Sequence, residues 1–309
     1  MVPSKPDFPR CQIVPLPDQR ASFQIDGREK TRWIFTGAHP RPCFFPLNGP
    51  SGESLTRMGH PGAPNHDHHQ SVWFAHNKVL GIDFWSNNST ARIEQTEWLA
   101  YQDGDDEAVM GVKLAWRDGH EPRPLLEQEL VVAIAPLNDE QWTMELQSRF
   151  TPSSETLEFQ KTNFGFFAVR VAKRIAEFFG SGTLTNSEGA TGERAIFGKP
   201  SRWMDYSGPA RDGGTEGVSY LDHSSNPGQP MRWHVREDGW LGASPCMLEP
   251  LQTLRTKPLI LRHMLFLHRG GADAKRINEQ AARFVESQPW EVVKPTTRHT
   301  HAVIRRVSS

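Results

Sequence analysis

Apolar and polar residues alternate along much of this chain, and the period is two. Over residues 142–150, Trp142, Met144, Leu146 and Phe150 fall on one side, and Thr143, Glu145, Gln147 and Arg149 on the other. That is the pattern of a half-buried strand. Residues 125–134 predict another strand, with Glu127 and Glu129 on one side, ending before a Pro136-Leu137-Asn138-Asp139 turn. A third spans 259–268, with Leu259, Leu261, Leu265 and Leu267 on one face and His263 among them. Residues 164–171 and 217–221 are also strand-like. Helical spacing is confined to residues 273–286, where Ile277, Ala281 and Phe284 recur at i, i+4, i+7 and Asp273 can cap the start. Residues 295–309 read as a polar, basic tail, loosely held.

Many strands with turns between them and one late helix predict an all-β fold: a large antiparallel β-sandwich or barrel. The 25 Gly and 24 Pro are scattered, as short strands and tight turns require. No internal repeat or biased linker divides the 309 residues, so the expectation is one domain over 1–309 with a C-terminal helix at about 273–286.

Composition narrows the function classes. Hydrophobic residues make up 37%, and 10 Trp and 17 Phe supply bulky core material, which argues for a packed fold. A formal charge of -1 argues against a nucleic-acid footprint. No apolar run approaches the roughly 20 residues that span a bilayer, and the N-terminal stretch lacks the apolar centre of a signal peptide. The expectation is a cytoplasmic protein with neither nucleic acid nor membrane as partner. Cys11, Cys43 and Cys246 are widely spaced and odd in number, and read as buried small hydrophobes rather than a disulfide framework or thiolate metal site.

Candidate chemistry is densest between His39 and His76, which holds six of the 13 histidines in a Gly- and Pro-rich setting. Three readings stand. In the first, His66 and His68, two apart on an extended segment, join His60 or His39 as a three-imidazole metal site, for which a divalent transition metal would be the cofactor. In the second, the imidazoles of this segment are neutral, near their working pKa, and do metal-free acid–base and hydrogen-bond chemistry. In the third, the imidazoles satisfy backbone groups of a long buried loop.

A second cluster mixes aromatic with planar polar residues: Trp203 to Gly208, then Asp222, His223 and Asn226, then Arg232, His234 and Arg236. Ring faces pack on sugar C–H groups while planar polar groups bind hydroxyls, so this composition suits a carbohydrate. His223 and His234 read as functional, Trp203 as core, and His263 and His268 as core or rim. Glu249 follows the apolar Met247 and Leu248. Desolvation there would raise its pKa, as a general base needs, although an exposed glutamate at a strand end is the commoner case.

These segments also carry a resemblance. The phrases WIFTGAHPRP at 33–42, PLNGP at 46–50, LTRMGHP at 55–61 and HHQSVWF at 68–74 resemble a bacterial family labelled "methane oxygenase PmoA". So do WMDYSG at 203–208, LDHSSNP at 221–227 and LFLHRG at 265–270, and the likeness runs from about residue 20 to about 285. It implies family membership. Oxygenase activity and copper are not carried over, because the membrane-embedded oxygenase subunit needs spanning segments that this chain lacks. A more distant likeness is to the galactose mutarotase-like supersandwich, whose imidazole-rich turn and base glutamate have counterparts at 65–73 (Asn65 to Trp73) and Glu249.

The expected function is therefore a carbohydrate-active enzyme, of isomerase, epimerase, lyase or hydrolase type, working by histidine-mediated proton transfer. Its catalytic candidates are His60, His68, His69, His223 and Glu249. His39, Arg57, Trp73, Asp222, His234 and Arg236 would bind substrate, with His223 and His234 opposite the histidine-rich wall. The alternatives are a metal-dependent enzyme using His60, His66 and His68, and a non-catalytic sugar-binding protein.

Overall fold

The computed structural model describes residues 8–60, 62–63, 66–296 and 298–308. Strands dominate, most of them bounded by turns that contain Gly, Pro, Asn or Asp. In chain order they are β1 (Cys11–Leu16), β2 (Arg20–Ile25), β3 (Arg28–Ile34), β4 (Cys43–Leu47), β5 (Val72–His76), β6 (Arg92–Gln102) and β7 (Ala108–Arg117). Next come β8 (Leu126–Pro136), β9 (Trp142–Pro152), β10 (Thr156–Phe159), β11 (Gly165–Arg170), β12 (Thr183–Asn186), β13 (Trp203–Pro209) and β14 (Thr215–Asp222). The last are β15 (Trp233–Arg236), β16 (Trp240–Ala243), β17 (Leu251–Leu254), β18 (Leu259–Arg269), β19 (Trp290–Val293) and β20 (Val303–Arg306). Among the described residues two α-helices join them: α1 (Glu193–Ile196), a single turn, and α2 (Ala274–Glu286).

Two eight-stranded sheets carry the architecture. One has the order β1-β2-β3-β4-β5-β11-β16-β15 and the other β12-β13-β14-β18-β9-β8-β7-β6, and the paired strands are antiparallel throughout. One contiguous apolar core lies between them, drawing Val72, Phe74, Phe167, Val169, Trp233 and Leu241 from the first sheet and Met144, Leu146, Tyr220, Leu261 and Leu265 from the second. The chain is thus the large antiparallel β-sandwich expected from its alternation. The predicted strands coincide with β8, β9, β11, β14 and β18, and the predicted helix with α2, whose start Asp273 caps by accepting from the backbone N–H groups of Lys275 and Arg276. Such a cap contributes about 1 kcal/mol.

The outer faces differ. That of the second sheet is covered: Ile277 and Phe284 of α2 pack on Trp203, Leu221 and Phe266, and Trp290 and Ile304 pack on Val109, Val131 and Ala133. The segment expected as a loose polar tail therefore contributes β20, which pairs with β19 from Trp290↔Arg306 to Val293↔Val303. Ile304 finds an apolar seat and Arg306 binds Glu145. The polar face of β9 is accordingly buried: Glu145 pairs with Arg262 at 3.0 Å and Arg306 at 2.7 Å, and the Gln147 amide donates to the Trp290 carbonyl at 2.7 Å. All three cysteines are buried and free. No described helix is long and apolar enough to cross a membrane.

Candidate functional site

The outer face of the first sheet holds a cleft, and strand register explains where it falls. Side chains that alternate away from the core form two rows. Cys43, Trp73, Ala168, Gly242 and His234 lie side by side across five strands, and Arg170, Trp240 and Arg236 across three. Ala168 and Gly242 are small, so the sheet surface is low between Trp73 and His234, while the aromatic rings around it stand tall. Trp73, Trp85 and Trp240 pack with centroids 4.6 to 6.0 Å apart and form a separate small apolar cluster with Cys43, Ala75 and Ala168. Above this floor opens a cavity of ≈ 490 Å³ lined by His66, His68, His69, Asn77, Asp83, Trp85, Phe164, His234, Arg236, Asp238 and Trp240. Its size and its aromatic lining with a few polar groups are those of a small-molecule site.

The histidine-rich segment forms one wall, and its ends are fixed to the sheet. The backbone N–H of Arg57 donates to Arg170, that of Ser71 to Arg57, and that of Gly59 to His69, all at 2.8–3.0 Å. Within it the chain turns tightly, with His66 N–H bonded to the Ala63 carbonyl and His69 N–H to that of His66. The segment is therefore not extended as expected, because its Gly and Pro content favours turns. Buried Arg41 braces the wall from behind: its guanidinium lies 4.2 Å over Trp73 and donates to the carbonyls of Phe84 and His68 and to Asn87. Burial lowers its pKa to about 9.

The imidazoles gather as a group. Ring centroids of His66 and His68 are 6.1 Å apart, His66 and His69 5.1 Å, His68 and His69 4.3 Å, and His60 and His66 5.5 Å. His69 stacks on Trp240 at 4.3 Å, and burial, with the neighbouring His68 and Arg170, holds it neutral far below the ordinary imidazole range. On the opposite side, His234 Nδ1 lies 3.1 Å from the Asn163 carbonyl. A carbonyl only accepts, so Nδ1 carries the proton and Nε2 keeps its lone pair. Burial, then the nearby Arg236, lowers the His234 pKa to about 4.

Charge is concentrated at the turn between β15 and β16. Asp238 accepts two hydrogen bonds from fully buried Arg170, at 2.7 and 3.1 Å, its backbone carbonyl accepts from Arg57 at 3.0 Å, and His60 Nε2 lies 3.7 Å from its carboxylate. Burial pushes the Asp238 carboxyl up, but the Arg170 hydrogen bonds and charge outweigh it and hold the group below the usual range. Arg236 donates to Glu193 of α1 at 2.7 Å at the rim.

Of the expected site residues, His66, His68, His69, His234 and Arg236 line the cleft; Trp73 is buried beneath it against Trp85 and Trp240 and does not line it, and His60 and Arg57 contact Asp238. His39 sits apart, its Nδ1 accepting from the Gln70 amide at 2.9 Å. The second half of the expected set lies elsewhere. His223 is at the end of β14 in the other sheet, where Arg262 donates to its Nε2 at 2.9 Å and it borders a different cleft, so it does not face the histidine wall. Asp222 is buried, accepting from Asn226 and Gln229 beside His263. Glu249 is exposed in the loop before β17, which is the commoner of the two cases weighed for it and gives none of the apolar enclosure that a general base would need. His263 and His268 are buried in β18, the former stacked on Phe167 in the core. Among the described residues no group of three or more His, Cys, Asp or Glu is placed to hold a metal ion, and the expected set of His60, His66 and His68 is not such a group. Asn65, which opens the stretch likened to a mutarotase turn, lies outside the described residues.

Sequence reasoning missed Trp85, Arg170, Asp238 and Trp240. Only the Asp238-Gly239 pair, a hairpin-turn signal next to an aromatic strand, pointed there.

Comparisons with known proteins bear on family and little else. No curated protein matches the chain. A solved structure described as a "putative mutarotase (YeaD)" from Salmonella typhimurium is similar over 84% of this chain and 97% of that one, at 12% identity and a TM-score of 0.31. A likeness that slight transfers no activity. The PmoA label finds no support: the family model that matches, over residues 20–282, is described as a family of unknown function (DUF6807). The chain belongs to that family of unknown function.

Proposed function

We propose that the cleft binds a sugar or sugar derivative and that its imidazoles move a proton on it, as in an isomerase or epimerase. The observation that carries this reading is the meeting, in one concavity, of an aromatic floor with neutral imidazoles on two sides. Trp85, Trp240 and Phe164 offer ring faces and edges to sugar C–H groups. The polar groups around them bind hydroxyls. The indole N–H groups of Trp73, Trp85 and Trp240 are buried with no acceptor among the described residues. They lie beneath the surface a ligand touches, so it is the ring faces and edges rather than the indole N–H groups that meet the sugar.

His234 is the proton acceptor in this reading. Its tautomer is fixed by Asn163, its Nε2 lone pair is free of the proton at neutral pH, and it lies on the cleft. His66 and His68 stand on the wall from which a proton is returned, His69 stays neutral beside them, and Asp238, held ionised by Arg170, orients His60 behind them.

The test is a screen of free sugars, sugar acids and glycosides, read by proton NMR for solvent-deuterium incorporation and for change of configuration. Turnover that His234→Gln abolishes while leaving affinity within a few-fold supports the reading. Saturable binding with no turnover of any candidate makes the protein a binding module and overturns the catalytic half. Turnover that survives in His234→Gln removes that residue from the chemistry.

A further inference from the structure

The cleft does not end at its own rim. Phe178 and Phe179, 67% and 38% exposed, stand beside it on the loop that leaves the short 3₁₀ turn after β11. Two large aromatic residues in sequence, both open to solvent, bury no core; Phe179 is held against His60 at 5.1 Å and between the cations of Arg57 and Lys173, at 5.2 and 5.4 Å. Phe178 meets Phe179 edge-on, with centroids 4.9 Å apart and planes at 89°, so its own ring is left outermost. The pair is tied to the cleft by backbone: Phe178 N–H donates to the Glu237 carbonyl at 2.9 Å, one residue from Arg236 and from Asp238, both of which line the cavity. A chain of ring contacts links cavity to platform, from His66 to His60 at 5.5 Å and from His60 to Phe179 at 5.1 Å.

We infer that Phe178 and Phe179 form a second saccharide subsite, so that the ligand is a glycoside or oligosaccharide with one unit in the cavity and the next on the Phe178 ring. This rests on the carbohydrate reading above. An exposed aromatic face next to an enclosed aromatic cavity suits a chain of linked rings. The inner unit is held by the enclosed walls, and the outer unit packs its apolar face on Phe178 with the Lys173 ammonium near its hydroxyls. Ring stacking beyond the area it covers is modest in energy, so the platform extends a ligand held elsewhere rather than capturing one alone.

The experiment compares chain lengths. A glycan array identifies a sugar series that the wild-type protein binds, and calorimetry then measures the monosaccharide and its disaccharide, starting with glucose against maltose and cellobiose and galactose against lactose. The wild-type protein is expected to bind the disaccharide of that series more tightly. Phe178→Ala, at an exposed position, is expected to weaken the disaccharide roughly five- to tenfold and to leave the monosaccharide within twofold. Phe178→Trp is expected to restore the disaccharide. Equal affinities of Phe178→Ala and wild type for the disaccharide, or an equal loss for both ligands, would overturn the inference while leaving the carbohydrate reading intact. A change of oligomeric state in Phe178→Ala, seen by light scattering with disaccharide affinity unchanged, would assign the ring to a subunit contact and also overturn it. Absence of any glycan binding by the wild-type protein would sink the carbohydrate reading itself and this inference with it.

Discussion

Removing the carboxylate of Asp238 should cost more than removing the cation it binds. Arg170 is fully buried, whereas Asp238 is 28% exposed. Asp238→Ala would leave the Arg170 guanidinium out of water with no anion, and with the Arg57 guanidinium close enough to repel it. Breaking a buried pair from one side costs roughly 3–5 kcal/mol; the partial exposure of Asp238 places this case at the low end, about 3 kcal/mol. Arg170→Met leaves behind only a carboxylate that water still reaches, at a cost of about 1–2 kcal/mol. The unfolding entropy of a 309-residue chain is about 0.65 kcal/mol/K, so Asp238→Ala should lower Tm by about 5 °C. The double variant, which removes the stranded charge, should be more stable than Asp238→Ala alone. Urea titration followed by Trp fluorescence, with calorimetry for Tm, measures all three. The pH dependence gives a second check. The folded carboxyl is held below its unfolded value of about 4, so its contribution is present above that value and is lost as pH falls through the lower folded one. Wild-type and Asp238→Ala curves should begin to converge as pH falls below about 4. A double variant less stable than Asp238→Ala, or a Tm change in Asp238→Ala below about 1 °C, would refute the argument that Arg170 depends on this carboxylate.

Four further outcomes can be checked. His234 titrates near 4 when folded and near 6.5 when unfolded, so the unfolded chain alone takes up the proton between those values and stability should fall as pH drops through that window, by up to about 3 kcal/mol; in His234→Gln the slope should flatten. Trp240→Ala removes the ring on which His69 stacks and one side of the aromatic floor, so sugar affinity should fall at least roughly tenfold, as calorimetry would show, and unchanged affinity would move the site elsewhere. Burial pushes the thiols of Cys11, Cys43 and Cys246 up to about 11, 12 and 12, so a thiol reagent at pH 8 should label the native protein only as fast as it unfolds. Truncation after Lys294 removes Ile304 from its apolar seat and Arg306 from Glu145 and from the face of Trp290, 3.7 Å away, and should cost about 3 kcal/mol or more in a urea titration.

Local pattern was enough for the strands and too little for their surroundings. The alternation over 142–150 located β9, because a period of two is a property of the segment itself. Its polar residues Glu145 and Gln147 look like a solvent face only until β19 and β20, more than 140 positions later, lie over them. The site divides in the same way. The histidine wall was legible because imidazole density and turn-forming residues sit in one short stretch. Arg170, Trp240 and Asp238 were not, because cross-strand register brings them together from β11 and the β15–β16 hairpin. His223 and His234 stand only eleven positions apart, yet the chain passes from one sheet to the other between them, which no local pattern reveals.

The floor of the cleft and the wall of the core are two sides of the same five strands. Trp73 looks outward between Val72 and Phe74, which look inward, and Ala168 between Phe167 and Val169. A change in the floor therefore also perturbs the packing that keeps the protein folded. Diversification of this family for new ligands should accordingly be uneven: the five-strand surface conserved as a shared inheritance, and the histidine-rich wall, the turn bearing Asp238 and the Phe178–Phe179 loop free to specialise.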